Sequence, residues 1–438
     1  MKPKNHQSRK STTLATRATR LFAGGTAVMA GLSLLSGAAF AEDAVRLDKV
    51  EKENADLKQR LESLEAVAKK EGIMPSGDKA PKLVNAMSDI TISGFAQASY
   101  FYNARKPADG QSDGYLWNTT HNSFSLNKFK LTLASKPAER SGEKWDAGFR
   151  TSLMWGEDAQ VLNTGSGRAG MESLREAYVD LNLPVGTGLN VKFGQLISLL
   201  NYESGDGGAA NNNFSQGYQW WFTGNGPASG IQLDYDINEW LNLKVRVQNG
   251  LRKGPTSDIN GSKTVVGSIN LKPDSKTWVN LIGWGGDETR TETLRGGSVL
   301  AGRQWTEEFN SGFEYDYFNW DSTTLPSQEV WSLGTFLNYD FSPTFGVGGR
   351  VDYVNDPDGA INTGFDNGPL AGPNRANSAI VSTDPHGSLA SFTLTLNFKP
   401  TKSIRIQPEI RYDKTTYAGG FDGAKDRFIF GAGASYLF

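Results

Sequence analysis

The ionisable side chains of this sequence recur at every second position of apolar runs. Lys128 and Lys130 alternate with Phe129, Leu131 and Leu133, and Arg150, Lys192, Lys244, Arg246, Arg350, Arg405 and Arg411 hold equivalent places. The acids Glu176, Asp180, Asp234, Glu314, Asp352, Glu409 and Asp413 follow the same rule. A period of two puts these groups on one face of an extended chain and the apolar side chains on the other. Two further acids, Glu203 and Asp206, lie near the start of a Gly- and Asn-rich stretch, Leu199–Ser229; Tyr218, Trp220, Trp221 and Phe222 lie near its end. Carboxylates facing guanidinium groups across a narrow, partly dehydrated passage make a transverse field. Such a field orders water and sorts small polar solutes by charge and size. The aromatic run admits stacking on sugar rings; it also suits an interfacial girdle or the core of a folded loop.

Other chemistries find less support. Of the three histidines, His6 lies in a leader, and His121 and His386 fall in predicted loops without a serine-elbow motif nearby. No strand holds a nucleophile–base pair, so no enzyme is expected. Asn211, Asn212 and Asn213, and the acids Asp356, Asp358 and Asp366, lack the ligand spacing of an EF-hand loop. No metal and no other cofactor is expected.

The charged faces need strands to carry them. From Asp89 onward, alternating runs are punctuated by Gly, Asn, Asp and Pro. Fifteen strands are predicted: Asp89–Asn103, Asn122–Lys136, Lys144–Gly156, Ser173–Leu183, Thr187–Ser198, Gly230–Ile237, Trp240–Gly250, Thr264–Lys272, Ser275–Gly285, Trp305–Phe318, Glu329–Phe341, Thr344–Asn355, Ser388–Lys399, Ser403–Thr415 and Lys425–Phe438. Many exceed the five or six residues usual in soluble sheets. Tight turns such as Pro184–Gly186, Lys272–Asp274 and Lys399–Thr401 alternate with long connections such as Asn103–His121, Leu199–Ser229 and Asn355–Gly387. This is the rule of a transmembrane barrel, in which both termini share one side and the strand count is even. The two phases of the alternation collide between Gly286 and Arg303, where a sixteenth strand, Thr291–Ala301, restores it. The alternative makes Gln216–Thr223 a strand and leaves Gly286–Arg303 as a loop. The predicted fold is all-β: an antiparallel barrel of about sixteen strands, within a range of fourteen to eighteen.

The amino-terminal segment reads differently. Lys2, Lys4, Arg9, Lys10, Arg17 and Arg20 precede an apolar core, Leu21–Ser36, and Ala39-Phe40-Ala41 supplies a small-x-small cleavage site. Residues 1–41 are thus expected to be a secretory signal peptide. Its loss removes six positive charges and no acids, taking the formal charge from -2 to -8. A net-acidic mature chain argues against a nucleic-acid partner. In residues 42–72, Leu47, Val50, Asn54, Leu57, Leu61 and Leu64 follow alternating steps of three and four, the seam of a short α-helical coiled coil. Asn54 would fix its register; the competing reading lays the helix against the barrel rim or plugs it. Residues 73–88 form a linker, and 89–438 the barrel.

The closing run DRFIFGAGASYLF carries Phe428, Phe430, Tyr436 and Phe438 on one face. Its last residues, Tyr436 and Phe438, resemble the assembly signal of bacterial outer-membrane barrels. The segments REAYVDLNLPVG, LNVKFGQ, GYQWWFTGNGPASG, RVDYVND and IRIQPEIRYDKT are similar to those of the β-barrel porin-2 family of outer-membrane porins. The resemblance covers about Asp89 to Phe438; the heptads stand outside it. It implies a Gram-negative outer-membrane location, lipid around the barrel, the outer-membrane assembly machinery as a partner, and, as in many porins, a homotrimer; the heptads, read as a bundle projecting into the periplasm, do not themselves decide between two chains and three. It further implies passive diffusion of small hydrophilic solutes and ions, with Leu199–Ser229 folding inward as the constriction. The alternatives are a saccharide-type specific channel, or an outer-membrane tether acting through the coiled coil.

Overall fold

The computed structural model describes residues 90–112, 118–159, 173–223, 227–251, 258, 260–324, 326–360, 386–421 and 423–438. The leader, the heptad seam from Leu47 to Leu64 and the linker lie outside the described residues.

Sixteen strands form one closed antiparallel barrel, each paired with its neighbours in sequence. In chain order they are β1 (Thr91–Asn103), β2 (Ser123–Ala134), β3 (Asp146–Trp155), β4 (Leu174–Leu183), β5 (Leu189–Leu196), β6 (Ala228–Asn238), β7 (Leu241–Gln248) and β8 (Thr264–Asp274). They continue as β9 (Thr277–Asp287), β10 (Glu292–Gln304), β11 (Phe309–Ser322), β12 (Gln328–Ser342), β13 (Phe345–Asp356), β14 (Gly387–Phe398), β15 (Ile404–Thr415) and β16 (Asp426–Leu437). The β5–β6 connection holds a 3-10 turn at Gly208–Ala210 and a short α-helix, α1 (Tyr218–Phe222).

The sixteenth strand required by the alternation is β10. Its Gly-rich sequence and its four-residue link to β9 weaken the signal in the sequence. Gln216–Thr223 is not a strand. Tyr218, Gln219, Trp220, Trp221 and Phe222 are all buried, which suits a helix turn enclosed on every side and not a strand with two different faces. β11 starts later than predicted, because Trp305 sits in a turn where Thr306 Oγ1 accepts the Phe309 N–H at 3.1 Å.

Turn chemistry at the barrel's short-turn end repeats. Asn238 Oδ1 accepts the Trp240 N–H at 3.0 Å, Asp274 Oδ1 the Lys276 N–H at 2.8 Å, and Thr401 Oγ1 the Ile404 N–H at 3.1 Å. Each side chain reverses the chain locally by mimicking a backbone acceptor. Gly186, at a φ of 60°, turns β4 into β5 where a side chain would be strained.

β16 closes the ring against β1, with Tyr436 opposite Ala96, and Gly94 and Phe438 exchange backbone bonds of 3.0 and 3.1 Å. No strand edge is left unpaired, so every strand's hydrogen-bonding groups are met within the wall. Around the ring the outer positions are apolar and open, including Phe193, Leu233, Val245, Leu281, Leu337, Leu394 and Phe430. The inner positions are enclosed and many are polar, including Gln97, Lys128, Asp180, Gln232, Asp352 and Arg411, while over β8–β11 the apolar Val266, Ile282, Trp284, Leu300, Phe318 and Trp320 share that face. Tyr436 and Phe438 stand on the outer face, 54% and 48% exposed, and Phe438 stacks on Phe129 with ring centroids 6.1 Å apart.

The inner wall and the β5–β6 connection as the candidate functional site

The predicted charged positions face inward, and many of them, such as Lys130, Arg246, Arg350, Arg405, Arg411, Glu314, Asp352 and Glu409, meet the β5–β6 connection rather than open water. Residues 197–223 run along the inner faces of the late strands. Glu203 Oε1 accepts Arg350 Nη1 of β13 at 2.8 Å, and Glu203 Oε2 accepts the Gly217 N–H at 3.2 Å. Burial pushes the Glu203 carboxyl above the usual carboxylate range, against the pull of the Arg350 guanidinium. Arg350 also donates to Ser215 O at 2.5 Å and Thr393 Oγ1 at 2.9 Å, and is fully enclosed. Asp352, two residues along the same face, accepts the Tyr218 N–H at 2.7 Å, which satisfies the first donor of α1.

β15 supplies a second row of holds. Glu409 Oε2 accepts the Phe214 N–H at 2.7 Å, and Ser215 Oγ donates to Glu409 Oε1 at 2.5 Å. Arg405 donates to Ala209 O at 2.6 Å and Asn212 Oδ1 at 2.9 Å. Arg411 donates to Gln216 O at 2.7 Å and lies over the rings of Tyr218 and Trp221, at 4.6 and 5.4 Å. The cations beneath the connection are thus engaged by its carbonyl oxygens and rings as well as by carboxylates, Arg350 by Glu203 and Asp352 and Arg411 by Asp413 at 2.6 Å.

Asp206 reaches the opposite way. Its Oδ2 accepts Lys130 Nζ of β2 at 2.7 Å, with Arg175 Nε at 3.7 Å. Burial would raise this carboxyl, but Lys130 and Arg175 outweigh it and hold it below the ordinary aspartate value. Lys128 pairs with Asp158 at 3.2 Å, and Arg150 Nε with Glu176 at 2.8 Å. Lys192 lies over the Tyr178 ring at 5.1 Å, Lys244 sits 3.6 Å from Asp234, and Arg246 donates to Ile197 O at 2.8 Å.

Tyr218, Trp220 and Trp221 are enclosed between the connection and the wall, and Trp220 Nε1 donates to Glu203 O at 2.8 Å. They fill the space under the connection with Phe214 and Phe222, the core-forming role that the sequence left open. Asn211 and Asn213 are likewise occupied, Asn211 Oδ1 by the Ser204 N–H at 2.8 Å and Asn213 Nδ2 by Thr395 Oγ1 at 2.8 Å. His121 Nδ1 accepts the Asn103 N–H at 2.9 Å, and His386 Nδ1 lies 2.7 Å from Pro357 O.

Arg427, Asp316 and Arg175 are three contributors absent from the predicted set. Arg427 Nε donates to Asp413 Oδ2 at 2.9 Å and its Nη2 to Tyr218 Oη at 3.1 Å. Asp316 accepts Gln219 Nε2 at 2.9 Å and Thr223 Oγ1 at 3.0 Å. Both obey the same alternation and could have been found by it. Arg175 could not, because the register of β3 on β4 shifts between Ser152 and Leu153 and turns Arg175 out of phase.

A closed wall of sixteen antiparallel strands, apolar outside and charged inside, with one connection bonded across its inner face, is the architecture of the porins. The chain belongs to the family described as Putative beta-barrel porin-2, OmpL-like, which matches residues 89–438. No curated relative matches the sequence. Among solved structures, the outer membrane channel DcaP of Acinetobacter baumannii is 14% identical at a TM-score of 0.51, over 80% of this chain and 97% of that one. The anion-selective porin from Comamonas acidovorans is 11% identical at a TM-score of 0.52, over 80% and 99%. OmpT, an outer membrane protein of Vibrio cholerae solved in its trimer form, has the same identity, TM-score and coverage. At these identities the likeness is one of fold.

Proposed function

We propose that this porin is a passive channel of the outer membrane. Small hydrophilic solutes and ions pass through its water-filled interior, narrowed by the β5–β6 connection. The observation that carries this reading is the fastening of residues 203–219 to Arg350, Asp352, Arg405, Glu409 and Arg411 on the inner wall. A segment held at so many points keeps its place without a ligand, as a standing constriction must. The formal charge of -8 after loss of the leader favours a mild cation preference.

The remaining parts fit this reading. The long connections face outward from the cell and both termini face the periplasm, where the heptads of residues 42–72 clamp three chains together. Tyr436 and Phe438 are the mark read by the assembly machinery. Planar-bilayer recording of the purified full chain tests the proposal. Discrete, non-saturating ion currents support it, and reversal potentials in a salt gradient give the selectivity. Membranes that stay insulating with correctly folded protein refute it.

A further inference from the structure

We propose that the short-turn end of the lumen holds a binding subsite for a neutral saccharide, built on Trp278 and Tyr202; this deepens the channel reading and rests on it. On the inner face of the wall, Trp278 of β9 stands directly opposite Gly302 of β10, and Gly312 of β11 opposite Phe336 of β12. A Cβ at Gly302 would lie 2.4 Å from Trp278 Nε1, and one at Gly312 would lie 2.1 Å from the Tyr202 ring. The two glycines let both rings lie down against the backbone of the wall. Tyr202 arrives from the β5–β6 connection, with its N–H held by Glu314 Oε2 at 2.8 Å. Its ring centroid is 5.9 Å from that of Trp278 and 4.3 Å from that of Phe336, with interplanar angles of 14° and 19°. Phe336 is covered, while Tyr202 and Trp278 stay partly open.

Carboxamides flank this aromatic shelf. Asn242, Asn270 and Asn280 sit side by side on the inner faces of β7, β8 and β9, with Asn280 one inward position from Trp278. Asn270 Nδ2 donates to Asn242 Oδ1 at 2.8 Å, and no hydrogen bond engages the Asn280 carboxamide among the described residues. On the other side of the shelf, Gln304 stands opposite Asn310. Two cavities, of about 510 and 540 Å³, share Trp278 as a common wall.

Charged side chains border both cavities. Arg140 bridges Asp234 at 2.8 Å and Asp236 at 2.5 Å, and Lys244 lies 3.6 Å from Asp234. Around the first cavity three acids, Asp234, Asp236 and Glu239, face three cations, Arg140, Lys244 and Lys272; around the second, Asp274 pairs with Arg303 at 3.2 Å beside Lys272 and Lys276. Flat rings beside one unengaged carboxamide, that of Asn280, match a pyranose: its C–H face lies on the aromatic surface, and a hydroxyl exchanges hydrogen bonds with a group that both donates and accepts, while Asn242, Asn270 and Gln304 are held by their neighbours. Trp220 and Trp221 are enclosed beneath the connection and cannot serve this chemistry.

The test uses the full-length protein with maltotriose and cellotriose as probes. Single-channel current is recorded in planar bilayers, and tryptophan fluorescence is titrated in detergent. The expected result is a saturable block and a matching fluorescence change. Trp278→Ala and Asn280→Leu should weaken each by roughly five- to tenfold, the scale of one lost aromatic contact; Trp145→Phe, on the exposed β2–β3 connection, should leave it intact. Conductance with neither block nor titration overturns the subsite and leaves the channel standing. A titration lost in Trp278→Ala, in a protein that passes no current, keeps the subsite and overturns the channel. Block by succinate or a dipeptide with none by either sugar also overturns the proposal, as does sugar block unchanged in both variants.

Discussion

Replacing Arg350 by Met should loosen the constriction while leaving the barrel closed. The guanidinium binds Glu203 at 2.8 Å, Ser215 O at 2.5 Å and Thr393 at 2.9 Å, with no exposure to water. Removing one partner of a buried pair costs about 3–5 kcal/mol, because the other charge stays behind. The connection can move and hydrate Glu203, so the lower end, about 3 kcal/mol, is the fitting figure. That raises the detached fraction of the connection roughly a hundredfold. Glu409 and Asp352 still hold Phe214, Ser215 and Tyr218, so detachment remains transient. Single-channel recording should show frequent excursions to a larger conductance, and chymotrypsin should cut after Tyr202 or Phe214. Adding Glu203→Gln removes the stranded charge and should recover part of the loss, as a double-mutant cycle measures. A folded Arg350→Met barrel with wild-type conductance and wild-type protease resistance would refute the reasoning.

Four further outcomes follow from the same contacts. Gly433 faces inward on β16, where a Cβ would lie 2.0 Å from the Phe214 ring; Gly433→Val should displace Phe214 and raise conductance, with heat-modifiable migration on gels retained. Asp206 is held below its ordinary value of 3.8, so its tie to Lys130 contributes above that value and is lost as pH falls through the lowered one. A conductance step below pH 3.8 should be present and should vanish in Asp206→Asn, separate from changes at higher pH from carboxyls such as Glu203, which burial holds above the usual range. Replacing both Tyr436 and Phe438 by Ala should lower the amount of barrel in the outer membrane several-fold, read by membrane fractionation, with refolding in detergent little affected. Deleting residues 42–71 should dissolve the proposed trimer and keep conductance, as size-exclusion chromatography and bilayer recording will report; an unchanged oligomer with a detached envelope would favour the tether.

The architecture was legible because a barrel strand has two solvents. Lys130 beside Phe129 and Leu131, or Arg411 beside Ile410 and Tyr412, must divide between water and hydrocarbon, and that division sets phase and strand count. The same pattern says which side of the wall a residue faces, and nothing about what lies against it. Arg350 and Arg411 looked like open lumen cations for that reason, and are covered by the connection. Trp220 and Trp221 were legible as aromatic and ambiguous as to role, since a five-residue helix has too short a period to read. Tyr202 and Trp278 escaped notice because the sheet register and two glycines bring them together across 76 residues of sequence.

The fastening of the β5–β6 connection also imposes an order of events on assembly. Its partners come late: Ser215 waits for Arg350, 135 residues on, Phe214 for Glu409, 195 residues on, and Tyr218 for Arg427, 209 residues on. Until β13 to β16 have been laid down, residues 214–218 lack these holds, although Asp206 can already meet Lys130 of β2, and contacts of such separation form slowly. The holds on residues 214–218 are thus completed only as the ring closes, and in the proposed channel narrowing would be the last step of assembly.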